Sequence, residues 1–350
     1  MKSTAYLAWR YLAYHRWKTG ILVTSITLIL YLPVGLRVLV DQSSKQLTAR
    51  AGATPLLIGA KGSPLNLVLN TLYFGSDHPE PLKYGEAIRE DQADLAESIP
   101  MYVRYRSRTH PIVGTTFEYF SFRGLRIASG RDLALLGECV VGSRVAGKLG
   151  IGPGGHVVSS PENVFDLAGV YPLKMPVVGV LEFSDGPDDD AIFVDLKTAW
   201  IIEGLGHGHQ DLTKREAAGA VLSREGNRVT ANASVVQYTE ITPENLDSFH
   251  FHGDLSEYPI TALITQPRDR KSSALLQGRY QGGEERAQIV RPLAVMEGLL
   301  DTILTVQKFV IAGAILVGIA TLASAAIVFL LSLRLRKREI HTLIKIGGSR

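Results

Sequence analysis

Four of the nine histidines fall in two His-x-His pairs, His207-Gly208-His209 and His250-Phe251-His252, with Asp211 and Asp254 two residues beyond each pair. On an extended segment residues i and i+2 share a face, so each pair presents two imidazoles on one side. Imidazole with carboxylate suits zinc, copper or nickel. Neither pair has the four-ligand spacing of a structural zinc site, and the competing reading is a polar loop that contains histidine. His207, His209, His250 and His252 are therefore the metal-ligand candidates, with zinc or copper as the ion.

Other segments approach a known chemistry and stop short of it. Gly142-Ser143-Arg144-Val145-Ala146-Gly147-Lys148-Leu149 follows the apolar run Cys139–Val141 and nearly matches a phosphate-binding loop, G-x-x-x-x-G-K-[ST]. Leu149 cannot supply the hydroxyl that such a loop places on magnesium, so the segment reads as strand, turn and helix. Asp185, Asp188, Asp189 and Asp190 crowd one turn. Without a glycine-spaced EF-type loop or a distal glutamate they read as an acidic hairpin tip rather than a calcium site. Arg104, Arg106 and Arg108 alternate with Tyr102 and Tyr105 as on a solvated strand face, and no nucleic-acid partner is expected. No H-E-x-x-H, Ser-His-Asp spacing or C-x-x-C occurs, so the chain is not expected to be an enzyme. The single cysteine, Cys139, rules out an internal disulfide.

The elements that must carry these residues are set by hydropathy and charge. Only 20% of residues are charged, and the apolar ones concentrate in two blocks, residues 21–40 and 309–333. Each has the roughly 20 residues needed to cross a hydrocarbon core about 30 Å thick. Residues 1–20 carry Lys2, Arg10, Arg16 and Lys18 without an acid, and residues 334–350 carry six basic residues against Glu339. Basic flanks stay in the cytoplasm, so both ends are expected there and the long intervening loop outside. A cleaved signal peptide is the alternative for the first block, but its leader holds Tyr6, Trp9, Tyr11, Tyr14 and Trp17, which suit an interfacial helix. The fold expectation is an α-helical membrane anchor with an extracytoplasmic mixed α+β domain. Residues 1–20 form a cytoplasmic interfacial helix, 21–40 the first span, and 41–290 the external domain with its stalk. Residues 291–308 form a stalk helix, 309–333 the second span, and 334–350 a cytoplasmic segment. Within the external part, strands such as Met101–Arg106 and Met175–Leu181 alternate with helices at Tyr84–Ser98, Ser143–Leu149, Leu196–Gly204 and Arg268–Gln281. Residues 205–233 are glycine-rich and polar and read as a loop or insertion between two lobes. Ala312, Ala314, Gly318, Ala320, Ser324 and Ala325 favour close helix packing in the second span.

Several phrases resemble one family. They are IVGTTFEYF at Ile112–Phe120, GRDL at Gly130–Leu133, GECVVGSRVAGKLGIGPGGHV at Gly137–Val157, VVGVLEFSDGPDDDAIFVDL at Val177–Leu196 and LRLRKREIHTLIKIGGSR at Leu333–Arg350. In this order and between these spans, the chain resembles the FtsX-like, MacB-like permease subunits of ABC systems. The middle phrases look like that family's periplasmic core domain. The resemblance implies four spans, so the chain is expected to continue past Arg350; a two-span form is the alternative. It also implies that the last phrase docks a cytoplasmic ATPase through Arg338, Glu339, Ile340, Leu343, Ile344, Gly347 and Gly348, with ATP used by that partner and no cofactor in this chain. A homodimer or paired permease, a periplasmic partner and membrane lipid are the other expected associations. The implied localisation is multi-pass in the cell inner membrane. The functional expectation is a permease subunit that couples the ATPase to movement of the external domain, for export, extraction or mechanotransmission. The alternative is a membrane-anchored extracytoplasmic binding or sensor protein, for instance for a metal.

Overall fold

The computed structural model describes residues 2–92, 94–160, 172–209, 221–225, 228–231, 238–282 and 285–346. Asp211, Gly347 and Gly348 lie outside these residues. The chain divides into two compact units, Met1–Ala49 together with Glu297–Arg350, and Arg50–Met296.

The first unit is helical. Its elements are Lys2–Tyr14, most of Arg16–Gly52, most of Pro292–Leu335, and Lys337–Lys345. Two of these helices are long and apolar enough to cross a membrane. At a rise of 1.5 Å per residue, the 37 residues of the first extend about 55 Å and the 44 of the second about 66 Å. Both exceed a hydrocarbon core of about 30 Å, leaving about five to seven helical turns each for extensions such as the polar run 41–50. Pro33 lies inside the first helix, where its missing N–H leaves the Ile29 carbonyl without its helical partner.

The second unit is a mixed α+β domain built on a ten-stranded sheet. Nine strands lie side by side in the order Ala287–Val290, Leu56–Ala60, Ala262–Pro267, Ala96–Ser107, His110–Thr115, Ile192–Asp195, Cys139–Val141, Lys174–Leu181 and Ile127–Gly130. The tenth, His156–Val158, also pairs with Lys174–Leu181. Two contacts are parallel, His110–Thr115 with Ile192–Asp195 and Cys139–Val141 with Lys174–Leu181, and the rest are antiparallel. Burial follows from position. The central runs Cys139-Val140-Val141 and Ile192-Phe193-Val194 are wholly buried, whereas Lys174–Leu181 alternates, with Met175, Val177 and Leu181 inward.

Helix Leu196–Ile202 begins at Asp195, whose carboxylate accepts the Lys197 amide at 2.9 Å, and it carries the fully buried Trp200. The Trp200 indole donates to the Pro259 carbonyl at 2.7 Å and meets Tyr84, Tyr258 and Phe251 edge-on or nearly so, at 5.4, 5.1 and 6.5 Å between ring centres.

Several boundaries differ from those expected. The helix expected over Tyr84–Ser98 stops at Gln92, because Ala96 already pairs with Pro267 in the sheet. The neighbouring strand runs Ala96–Ser107 rather than Met101–Arg106 and includes Pro100 opposite Leu263. The stretch 205–233, expected as a loop, contains the strand Gly206–Gly208 and the antiparallel pair Val221–Glu225 and Arg228–Ala231.

Candidate functional site

Gly206–Gly208 pairs antiparallel with Phe249–Phe251 in a two-stranded ribbon, in the register Gly206 opposite Phe251, His207 opposite His250 and Gly208 opposite Phe249. Because side chains alternate along a strand, this register sorts the ribbon into two faces. One carries glycine against phenylalanine. A Cβ at Gly206 would lie 2.6 Å from the Phe251 ring, and one at Gly208 would lie 2.5 Å from the Phe249 ring, so only glycine lets the rings lie across the opposite strand. Phe251 then reaches Trp200 and Tyr258 in the core.

The other face gathers histidine. Ring centres of His207 lie 5.9 Å from His209, 4.8 Å from His250 and 5.0 Å from His252; His250 lies 5.2 Å from His209 and 4.8 Å from His252. One nitrogen each of His207, His209 and His250 fall within 4.8 Å of one another, and these three side chains are half-buried while His252 is exposed. Nδ1 of His250 lies 3.0 Å from the Ser248 carbonyl, a contact that places the proton on Nδ1 and the lone pair on Nε2. Burial, followed by His250, His252 and His209 around it, holds His207 below the ordinary histidine value. Asp254 is otherwise engaged, since its carboxylate accepts the Ser256 amide at 2.9 Å. The structure thus brings all four candidate histidines together, and the two pairs, separated by some 40 residues, form one cluster.

The acidic turn is an ion-pair network rather than a hairpin tip, since Cys139–Val141 lies between the two strands that flank it. Asp188 and Asp189 are buried. Arg50, in the last turn of the helix that starts at Arg16, donates to both carboxylate oxygens of Asp188 at 2.6 and 3.0 Å. The Tyr119 hydroxyl donates to the same carboxylate at 2.7 Å, and Arg50 also donates to the Leu72 carbonyl at 2.5 Å. Burial pushes the Tyr119 hydroxyl well above the ordinary tyrosine range. Asp189 accepts from Ser143 Oγ at 3.1 Å and from the Ser184 amide and hydroxyl at 2.9 and 3.0 Å. Asp190 accepts from Lys148 at 2.7 Å and Arg144 at 3.1 Å, and Arg144 also reaches Asp185. These carboxylates are satisfied by the chain's own cations and donors, a poor arrangement for calcium. The same turn fills the place where a phosphate-binding loop would hold phosphate: a Cβ at Gly142 would meet the Asp188 carbonyl oxygen at 2.3 Å, and the Asp189 carboxylate occupies the start of helix Ser143–Leu149. The composition 185–190 signals acidity, but nothing in it announces Arg50, which lies 138 residues from Asp188.

At the other end of the chain, Arg338, Glu339, Ile340, Leu343 and Ile344 fall on the nine-residue helix Lys337–Lys345. Arg106, one of the alternating arginines, donates to the Thr109 carbonyl at 2.6 Å within its own turn.

Comparison with known proteins gives the family. The model of the MacB-like periplasmic core domain matches residues 20–242, well over half of the chain. The chain belongs to that family. Similar solved structures include the periplasmic region of MacB from Actinobacillus actinomycetemcomitans, 12% identical with a TM-score of 0.38, the match covering 70% of this chain and 92% of that one. The extracellular domain of the noncanonic ABC-type transporter YknZ from Gram-positive bacteria is 12% identical with a TM-score of 0.36, covering 67% and 98%. A domain of a putative permease protein from Porphyromonas gingivalis is 13% identical with a TM-score of 0.29, covering 67% and 86%. No curated protein sequence matches the chain. The MacB-like match includes the acidic turn, Arg50 and His207–His209, but ends before His250–His252.

Proposed function

We propose that the chain is a permease subunit of an ABC-type complex, in which a separate cytoplasmic ATPase drives movement of the MacB-like domain for export, extraction or mechanotransmission. The observation that carries this reading is the order of parts. A MacB-like core domain lies between two helices long and apolar enough to cross a membrane, and a short basic helix, Lys337–Lys345, follows the second. In this reading both ends of the chain are cytoplasmic, the domain is external, and the subunit works as a pair in the inner membrane. Arg338, Glu339, Ile340, Leu343, Ile344, Gly347 and Gly348 dock the ATPase. Apolar residues at spacings of three and four suit a groove on such a partner, and the basic run 334–338 also attracts anionic lipid.

Within the unit Arg50–Met296, the Arg50 guanidinium binds Asp188, Tyr119 and the Leu72 carbonyl at once. ATP would shift the balance between two arrangements of the helices, and the stalks 41–50 and 293–308 would relay the difference outward.

The test is partner capture. The native gene product is purified from membranes in mild detergent and its companions are identified by mass spectrometry. A stoichiometric P-loop ATPase, lost on Glu339→Lys with Ile344→Asp, supports the reading. Absence of any ATPase from intact, folded protein overturns it.

A further inference from the structure

The histidine face is not needed to hold the ribbon in place. The opposite face, with Phe251 against Trp200 and Tyr258 and the two glycines beneath the phenylalanine rings, anchors it to the core. Strand pairing and the Tyr238 amide on the Gly208 carbonyl, at 2.9 Å, fix its backbone. Four imidazoles are thereby held on a prebuilt scaffold, with ring centres of neighbouring members 4.8–5.9 Å apart.

We propose that His207, His209, His250 and His252 form an exchangeable zinc site on the MacB-like domain. Three observations carry the assignment. First, the nitrogens already converge: those of His207, His209 and His250 lie within 4.8 Å of one another. A tetrahedral zinc with nitrogens at about 2.0–2.1 Å holds them roughly 3.4 Å apart, so side-chain rotations of an ångström or so close the shell around an ion. Second, His250 has the outer contact typical of a metal-bound imidazole, Nδ1 toward the Ser248 carbonyl, which orients the ring and leaves Nε2 as donor. Third, the donor type narrows the ion to zinc and its divalent transition-metal neighbours. Neutral imidazoles suit zinc and its transition-metal neighbours, whereas calcium and magnesium require oxygen and copper(I) prefers sulfur; Asp254 is committed to the Ser256 amide and the lone thiol, Cys139, is buried in the sheet.

Exposure decides between a structural and an exchangeable ion. Structural zinc sites are closed, but here His252 is exposed and the other three are only half-buried, so solvent and chelators reach the centre. Binding would add a metal clip between the strand Gly206–Gly208 and the segment ending at His252, on a ribbon that its phenylalanine face already holds. The site stands apart from the ATPase reading, and either holds without the other.

The test uses the full chain, prepared without a polyhistidine tag, in detergent. Zn2+ is titrated in competition with a chromophoric chelator, and Co2+ is added separately as a spectroscopic substitute. The expected result is one zinc per chain, removed by EDTA, with affinity at least tenfold weaker in the His207→Asn, His250→Asn double variant and unchanged in His156→Ala, a histidine beside Glu240 that is not a member of the cluster. Co2+ should give the intense visible bands of a four-coordinate nitrogen site. Zinc bound equally by wild type and the double variant overturns the proposal. Should the double variant fail to fold, wild-type protein decides alone: the weak spectrum of six-coordinate aqueous Co2+ throughout the titration overturns the assignment, and the four-coordinate spectrum upholds it.

Discussion

Removing one partner of the Arg50–Asp188 pair should be among the most damaging single changes in the external domain. The Asp188 side chain is only 4% exposed and that of Arg50 only 11%. Asp188→Ala leaves a guanidinium enclosed with no carboxylate on it, together with a Tyr119 hydroxyl deprived of its acceptor. Breaking a buried pair in this way costs about 3–5 kcal/mol. For a domain of this size each kcal/mol lowers the melting temperature by about 2–4 °C, so a fall of roughly 6–20 °C is expected. The assay is thermal unfolding of the full chain in detergent, followed by near-ultraviolet circular dichroism.

The double variant Arg50→Met, Asp188→Leu removes both charges, and replacement of a buried pair by apolar residues is often nearly neutral. It should therefore recover more than half of the loss, the remainder reflecting the Leu72 carbonyl and Tyr119 hydroxyl left unpaired. A shift below about 2 °C for Asp188→Ala, or a double variant as unstable as the sum of its single changes, would refute the buried-charge account.

Three further outcomes follow from the geometry. Glu138 is held below its ordinary value of 4.5: burial opposes this, but Arg131 and the Ala134 and Leu135 amides prevail. Its stabilisation is therefore fully present above about pH 4.5 and is lost as pH falls through the lowered value, so melting curves of Glu138→Gln and wild type should differ at pH 7 and draw together as the pH is taken progressively below 4.5. Gly208→Val should displace the Phe249 ring, costing about 1–3 kcal/mol and weakening zinc retention without touching a histidine, as read by melting and chelator competition. Ile344→Asp alone should reduce ATPase capture while leaving the melting temperature of the MacB-like domain within about 1 °C, because residue 344 lies outside the compact unit Arg50–Met296 and substitutions away from a core rarely exceed about 0.5 kcal/mol.

The sequence disclosed the two apolar helices, the α+β character of the domain and helix Ser143–Leu149, because each rests on local pattern. Where local pattern and pairing conflict, pairing won. Pro100 reads as a strand boundary, yet it sits within Ala96–Ser107, with its carbonyl accepting the Thr115 hydroxyl at 2.9 Å. Helix Pro64–Tyr73, not among the expected helices, carries a local start signal in Ser63, whose side chain caps the Asn66 amide, in Pro64 in the first turn and in Leu67, Val68 and Leu72. The histidine pairs were visible as two separate motifs. Their union depends on a strand register that spacing along the chain does not encode. Arg50 was hidden for the same reason: it lies in a polar stretch with no mark of its partner, and only the fold supplies Asp188.

The sheet order has a bearing on how the domain comes into being. Leu57, in the first strand, sits between Ile264 and Val290, partners made more than 200 residues later. Until those late strands arrive, the early strand offers both of its hydrogen-bonding edges to any passing chain. In the proposed topology nearly the whole external segment must be delivered across the bilayer before its first strand can be enclosed, so maturation is a race between long-range closure and aggregation, slow by contact order and sensitive to anything that stalls export midway.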